Sequence, residues 1–549
     1  MRGCGVRTWG QIPQVSDPLA SWSQIPTTKG SRALGLRPRG LTPASDQSRA
    51  RQLRRVRAMR LPAFLADDSP LTRSRLWPRW LFLRALGLIF LSAFYSLAFQ
   101  IHGLIGERGI LPAGAYLQQV RDAFGTARGV WYAPTLLWLG ASDGALTAVI
   151  VAGVVCSVLL TVNVWPRVAV ALCTLLFLSC VAALQDFSSY QSDGMLLEAG
   201  FISCFVAPRG IRPRLGATDP PSRFAYFMLV WEWFRIYFES GLVKLLSGDP
   251  HWRDLTAMDE YYQNGPLPTW LGWYVQHFPH WYHAGTVILT LVVELVLVWM
   301  VFLPRPFRLA CFAVVTALQI GIIATANYAF LNYLVLCLGV LLLDDALLAR
   351  LRLPAPSADA PVRPRAALWR WMEGFALGIA LWVTITSFVA PLSVSVLAMP
   401  EQALAPFRIA NAYGLFAVMT EARYEIEFQG SRDGVTWIAY PFRYKPQDIY
   451  ERPGIYAPYQ PRFDWNLWFA SLGPWQQSSW VVLAQQRLLE SSPSVLRLFR
   501  SNPFASAPPA LVRTVRWQYW FTDLDTKRRT GAWWRRKELG MFTGVVGMQ

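Results

Sequence analysis

Between residues 224 and 246 an otherwise apolar run carries Glu232, Arg235, Glu239 and Lys244 among Phe, Tyr, Trp and Leu. Glu232 and Arg235 are three apart, Arg235 and Glu239 four, so these three share one face of a helix. Groups of this kind can pair as ions, hold a substrate or relay a proton. A charge at mid-bilayer costs on the order of 2.5–3.5 kcal/mol on insertion scales, so mutual pairing turned into a bundle is the natural escape. Three readings stay open: a structural ion-pair network, a polar site for a substrate or client segment, and a proton relay. Glu198 is a second carboxylate inside an apolar run and an expected partner of Arg235 from a neighbouring helix. Tyr190, Gln191 and Asp193 just before it, with Trp252, Arg253, Asp254 and His277 further on, are the outer-loop candidates.

His277, His280 and His283 invite a metal reading by their spacing of three. Pro279 interrupts any helix between the first two, and Trp and Tyr surround them, so an interfacial aromatic belt is the better reading. No metal or cofactor is expected. The sequence holds no C-x-x-C pair, nucleophile elbow, phosphate loop or metalloprotease motif, and no enzyme is expected from motifs alone.

These side chains need elements to hold them, and composition says which kind. Of 549 residues 53% are hydrophobic and 16% charged, with a mean hydropathy of +0.27. Ordinary soluble domains carry about 25% charged residues; a plain cytosolic enzyme and a disordered chain are both excluded. The net charge of +18 resembles that of a nucleic-acid binder, but its distribution does not. Residues 1–60 hold eleven Arg and Lys29 against Asp17 and Asp46, so about ten of the eighteen units lie in one tail. No basic face interleaved with aromatics appears on a folded region, and nucleic acid is not an expected partner. Residues 1–58 read as a basic disordered tail or a gene-model artefact, with Met59 as an alternative start.

The expected architecture is an α-helical polytopic membrane bundle over 75–395, with about nine membrane segments, and a small β-rich extramembrane domain over 405–549. The apolar runs are 80–104, 146–162, 168–184, 194–207, 224–246, 286–303, 307–326, 329–348 and 368–390. Most approach the ~20 residues needed to cross a bilayer; 194–207 is short and reads as re-entrant or tilted. With the N-terminus cytoplasmic, the inner loops contain Arg167, Arg209, Arg212, Arg214, Arg223, Arg305, Arg350, Arg352, Arg363 and Arg365. The outer loop 247–285 has Arg253 as its only basic residue, whereas the outer segment 105–145 is mixed, with three Arg. This asymmetry places the C-terminal region outside the cytoplasm.

From about residue 405 the pattern changes. Tyr424 to Phe428 alternates with period two, residues 430–434 supply turn chemistry with Asp433-Gly434, and 435–440 reads as a returning strand. Another strand is expected over 512–521 and a helix over 480–490. Trp465, Trp468 and Trp475, and the pair Trp533-Trp534 beside Arg535-Arg536, offer aromatic surface next to charge. They are client-contact candidates, with core packing of the β-rich domain as the competing reading.

Several long stretches are specific enough to compare: SYQSDGMLLEAGF (189–201), FRIYFESGLVKLLSGDPHWRDLTAMD (234–259), PLPTWLGWYVQHFP (266–279) and ANYAFLNYLVLCLGVLLLDD (326–345). The C-terminal region adds NAYGLFAVMTEARYEIEFQGSRDGVTW (411–437), YKPQDIYERPGIYAPYQPRFDWNLWFA (444–470), NPFASAPPALVRTVRWQYWFTD (502–523) and RRTGAWWRRKELG (528–540). Together these stretches resemble the lipase maturation factor family. The resemblance implies a multipass membrane protein that assists folding and assembly of secreted lipases, in the endoplasmic reticulum of animals, with its C-terminal domain lumenal. It carries no catalytic residue set. The membrane half is more distantly similar to the vitamin K-dependent carboxylase-like membrane domain, which leaves a membrane enzyme acting on a lipid or quinone-like substrate as the alternative. Ala/Arg/Pro-rich composition, the lack of sequons and of cysteines after Cys337, and an ending without a retention signal point to a bacterial chain. Its expected place is then the inner membrane, with the C-terminal domain periplasmic and an exported, lipase-like client as partner.

Overall fold

Apolar runs bounded by Ser, Pro and Gly form the helices that the spacing calls for. In a computed structural model, residues 74–188, 190–354, 361–362, 364–389 and 399–547 are described. The 1–58 tail, Met59, Ser189, Arg363 and Ala390 lie outside them. The helices are α1 (Leu76–Ala98), α2 (Ala113–Tyr132), α3 (Asp143–Thr161), α4 (Pro166–Ala183), α5 (Gln191–Val206), α6 (Arg223–Leu246), α7 (His280–Leu295), α8 (Arg305–Thr325), α9 (Leu331–Gly339) and α10 (Ala367–Val389). Local chemistry fixes their starts. Ser142 and Ser222 accept the Ala145 and Ala225 amides to cap α3 and α6, and Pro166 opens α4 where no amide is needed.

The expected apolar runs fall mostly on helices, and among the described residues five helical stretches are long and apolar enough to cross a membrane by length and composition. They are Leu76–Ala98, Asp143–Thr161, Pro166–Ala183, His280–Phe302 and Arg305–Thr325. The expectation of about nine is thereby narrowed. Helix α5, which holds the short run expected to be re-entrant or tilted, spans 16 residues and is buried on nearly all sides as a central packing element. Helix α6 is long enough but carries the charges, and the apolar stretch Leu331–Leu342 is short.

Two polar ends bracket these helices. At one end Asp219 takes the Arg209 and Arg167 guanidiniums at 3.0 and 3.4 Å, while its carbonyl accepts from Arg79 at 2.6 Å. Asp344 binds Arg305 at 2.6 Å nearby, and the Asp345 carboxylate caps the start of α1 through the Leu76 and Trp77 amides. At the opposite end the C-terminal region seats against Gln100, Phe187, Tyr190, Asp193, the loop 263–266 and Asn327. There Gln100 donates to the Gln460 carbonyl, and Asn327 donates to that of Gly454.

The C-terminal region holds α11 (Arg462–Ser471), α12 (Trp480–Leu489) and a four-stranded antiparallel sheet ordered β2-β1-β3-β4. The strands are β1 (Arg423–Ser431), β2 (Ile438–Ala439), β3 (Leu511–Phe521) and β4 (Trp534–Gly547). The expected hairpin exists, with Gly434 at φ 76° and the Asp433 carboxylate accepting the Val435 and Thr436 amides, but its returning strand is two residues long. The main partner of β1 is β3, with Ile426 opposite Arg516. The strand β4 has no expectation behind it: the consecutive charges Arg535-Arg536-Lys537-Glu538 and the irregular register against β3 hide its period. Phe428, Phe463 and Phe499 close the core between sheet and helices.

Candidate functional site

Helix α6 presents Glu232, Arg235, Glu239 and Ser240 toward α5, which supplies Gln191 and Glu198. The Arg235 guanidinium, with no exposure, pairs with Glu198 across the helix interface and with Glu239 one turn on, at 3.6 Å. The expected Glu198–Arg235 pairing is therefore present. What these charges hold is a segment of the protein's own chain. Residues 411–420 run past α5 and α6 without forming a helix or strand, and side chains of the helical part take up their backbone groups.

Arg235 donates to the Asn411 carbonyl at 2.6 Å, and the Asn411 amide donates to Glu198 at 3.0 Å. The Asn411 side chain donates to Glu198 and to the Gly194 carbonyl, both at 3.1 Å. Tyr413 donates its hydroxyl to Glu198 at 2.9 Å and its amide to Glu239 at 2.5 Å, and its ring lies 5.1 Å from the Arg235 guanidinium. Gln191 accepts the Gly414 amide, Asp249 accepts that of Met419, and Trp252 donates to the Phe416 carbonyl. Non-helical backbone deep in a membrane protein survives only where protein satisfies its polar groups, and these side chains do that. Gly194 leaves the room this contact uses: a Cβ there would meet the Asn411 side-chain oxygen at 2.8 Å and push that side chain away.

The remaining charges are divided among separate partners. Lys244 does not join the cluster; it pairs with Glu294 of α7 at 2.8 Å and lies over Trp252. Both Glu232 carboxylate oxygens are buried without a hydrogen-bond partner among the described residues. Asp193, expected on an open outer loop, is fully buried in the first turn of α5 and grips Arg462 of α11 at 2.7 and 2.8 Å. Tyr190 is buried too and stacks on Trp465 at 5.1 Å. Arg253 and Asp254 are exposed, as an outer loop requires, whereas Trp252 is buried.

The three histidines diverge. The His277 ring bonds the Trp273 and Thr522 carbonyls, His280 faces Asp259 at 2.9 Å, and His283 is buried beside Tyr262. Among the described residues no group of His, Cys, Asp and Glu is arranged to hold a metal. Of the tryptophan candidates, Trp465, Trp468 and Trp534 are core residues, with Trp468 donating to the Asn264 carbonyl. Trp533 is half-buried, and Trp475 is 39% exposed between the exposed Phe469 and Leu472 on one side and Leu483 on the other.

Sequence reasoning missed Asn411, Tyr413, Arg462 and Glu294. A signal existed for Glu294, a lone carboxylate in an apolar run. None existed for the other three, whose partners lie more than 170 residues away.

Outside the membrane helices, Asp249 and Asp464 show opposite balances. Burial raises the Asp249 carboxyl, but the Met419 and His251 amides outweigh it and hold it below the ordinary range. Burial dominates at Asp464, which is pushed up to about 6 despite the Lys445 charge and the amides of Lys445, Tyr444 and Asp464 itself.

Two family models match the chain in order: the lipase maturation factor transmembrane domain over residues 77–350 and the lipase maturation factor C-terminal domain over 409–544. Human (Homo sapiens) lipase maturation factor 2 is 31% identical over 596 aligned positions, covering 86% of this chain and 83% of that protein. Lipase maturation factor 1 of Bos taurus is 32% identical over 508, covering 86% and 89%. No solved structure matches.

Proposed function

The chain belongs to the lipase maturation factor family, and from that premise we propose that it is a membrane-embedded maturation factor assisting the folding or assembly of exported, lipase-like proteins. The observation that carries this is the match to both family models, in order, along the same chain. The relatives' printed names supply the client class; a bacterial inner membrane is the proposed location.

We read the helical part as crossing the membrane nine times, with α5, α6, the stretch from α9 to Leu342, and α10 completing the five apolar spans. Support comes from alternation: successive helix ends fall by turns at the Asp219–Asp344 end and at the end that receives the C-terminal region. The first end gathers the basic loops expected inside, so the C-terminal domain, residues 405–549, lies on the export side. A folding helper needs exposed apolar surface that binds without chemistry. Phe469, Leu472 and Trp475, exposed within six residues of one another in sequence, are the surface we assign to this contact, with the half-buried Trp533 as a further candidate.

The ion pairs around Arg235 serve this function as a clamp, holding the C-terminal domain to the membrane helices through residues 411–420. The alternative, an enzyme acting on a lipid or quinone-like substrate, drew on these same charges. Arg235, Glu198 and Glu239 are instead engaged by residues 411–413 of the chain itself, Lys244 pairs with Glu294, and Glu232 stands apart from both sets.

Deleting the gene is expected to lower the activity of exported lipase while its transcript is unchanged, and crosslinks to client are expected on the surface around Trp475. Normal client activity and fold in the deletion strain overturn the proposal.

A further inference from the structure

The outer segment 105–145 broke the loop-charge asymmetry with three Arg, and its structure supplies a reason. Helix α2 is broken at Gly125, which sits at φ 72°, so the chain turns back on itself. Residues 121–128 are all exposed, and the aromatic pair Phe124–Tyr132 closes the turn at 5.0 Å between ring centres. The base is fixed near the membrane boundary. The Thr135 hydroxyl donates to the Ser179 carbonyl near the end of α4, at 2.9 Å. The Trp131 indole donates to the Ala403 carbonyl and packs edge-on against Phe407.

This protrusion carries large apolar side chains on its outside. Trp131 is 52% exposed and Leu139 is 92% exposed, three residues before the Ser142 cap of α3. Helix α3 itself exposes Val151, Val155 and Val158, a stripe that faces lipid in any membrane reading. Leu139 lies just before the outer end of that helix, itself fully open to the surroundings. Arg121 and Arg128 flank the aromatic tip, where long basic side chains keep their stems in apolar surroundings and their heads at phosphate depth.

We propose that α2 and the turn Leu136–Leu139 form a paddle seated in the outer headgroup layer, binding the lipid surface. Phe124, Trp131 and Leu139 dip toward the acyl chains, and Arg121 and Arg128 meet lipid phosphates. The occupant is lipid because the base of the protrusion is bonded near the end of α4 and Leu139 lies three residues before the cap of α3, a helix whose exposed valines face lipid. This rests on the membrane reading given above.

The test is site-directed spin labelling of the full chain in phosphatidylcholine–phosphatidylglycerol vesicles. Labels are placed at Phe124→Cys and Leu139→Cys, at Val155→Cys in the stripe, and at Val435→Cys, which is 82% exposed beside the sheet. The Phe124 and Leu139 labels are expected to collide with oxygen rather than a water-soluble nickel chelate, by a ratio several-fold above that at Val435. If the Val155 label reads as lipid but these two read as water, the paddle is wrong and the membrane reading stands. Immobilisation of these two labels only when a client or a second copy is added also overturns it. If Val155 reads as water, both ideas fall.

Discussion

Arg235 illustrates how a buried charge is tolerated: two carboxylates and a backbone carbonyl surround it, leaving little unsatisfied. Breaking such a set by removing one partner typically costs about 3–5 kcal/mol, since the survivors stay buried and unpaired. Arg235→Met is therefore expected to lower the thermal midpoint in detergent sharply, as read by fluorescence-detected size exclusion. Glu232→Gln loses no hydrogen bond and is expected to leave that midpoint unchanged. Asp464 makes a pH-dependent contribution of the less usual sign. Its folded value of about 6 lies above the ordinary 3.8, so the folded state holds the proton more tightly than the unfolded one. Stability is expected to fall as pH rises from about 4 to about 6 and then level off. Asp464→Asn should flatten that slope in a series of melts; an unchanged slope would mean another group carries it.

The element that decides the architecture is residues 411–420, which has no regular secondary structure. Its backbone is held by side chains of α5, α6 and the following loop, so it joins the helical part to the sheet as a strap. Asn411→Ala with Tyr413→Phe removes three bonds to the Glu198–Gly194 wall. Protease cleavage near residues 400–420 in the detergent-solubilised protein is expected to rise several-fold, while the sheet stays intact. A second tether is the Asp193–Arg462 pair between α5 and α11. Charge reversal of either residue should destabilise, and the double exchange should recover part of the loss. No recovery would argue that the hydrogen bond of Arg462 to the Phe187 carbonyl matters more.

For the whole molecule the claim at stake is orientation. A periplasmic-type reporter such as alkaline phosphatase, fused after Gln549, is expected to be active, and one fused in the 349–367 loop inactive. The reverse pattern would remove the C-terminal surface from any exported client. Trp475→Ala, being exposed, should reduce client crosslinking without altering expression. Polar contacts join the two halves at residues 411–420, at Asp193–Arg462 and at Arg423, which donates to the Gln263 and Pro266 carbonyls, so neither half is expected to fold stably when expressed alone.

Hydropathy and charge by themselves marked every membrane-type helix, because burial in lipid and loop charge leave one-dimensional traces. The first strand, its turn and the helix from Trp480 were legible for the same reason: period and turn chemistry are local. They also announced that Arg235 needs a partner and that Glu198 was suited to be one. Only the tertiary structure decided what those charges hold. Asn411 and Tyr413 look like ordinary loop residues, and nothing in spacing links them to helices some two hundred positions earlier. Likewise Lys244 chose Glu294 over its own helix, and Asp193 turned inward to Arg462. Pairings between distant segments depend on which surfaces the packed helices bring within about 3 Å, and that is a property of the assembled fold.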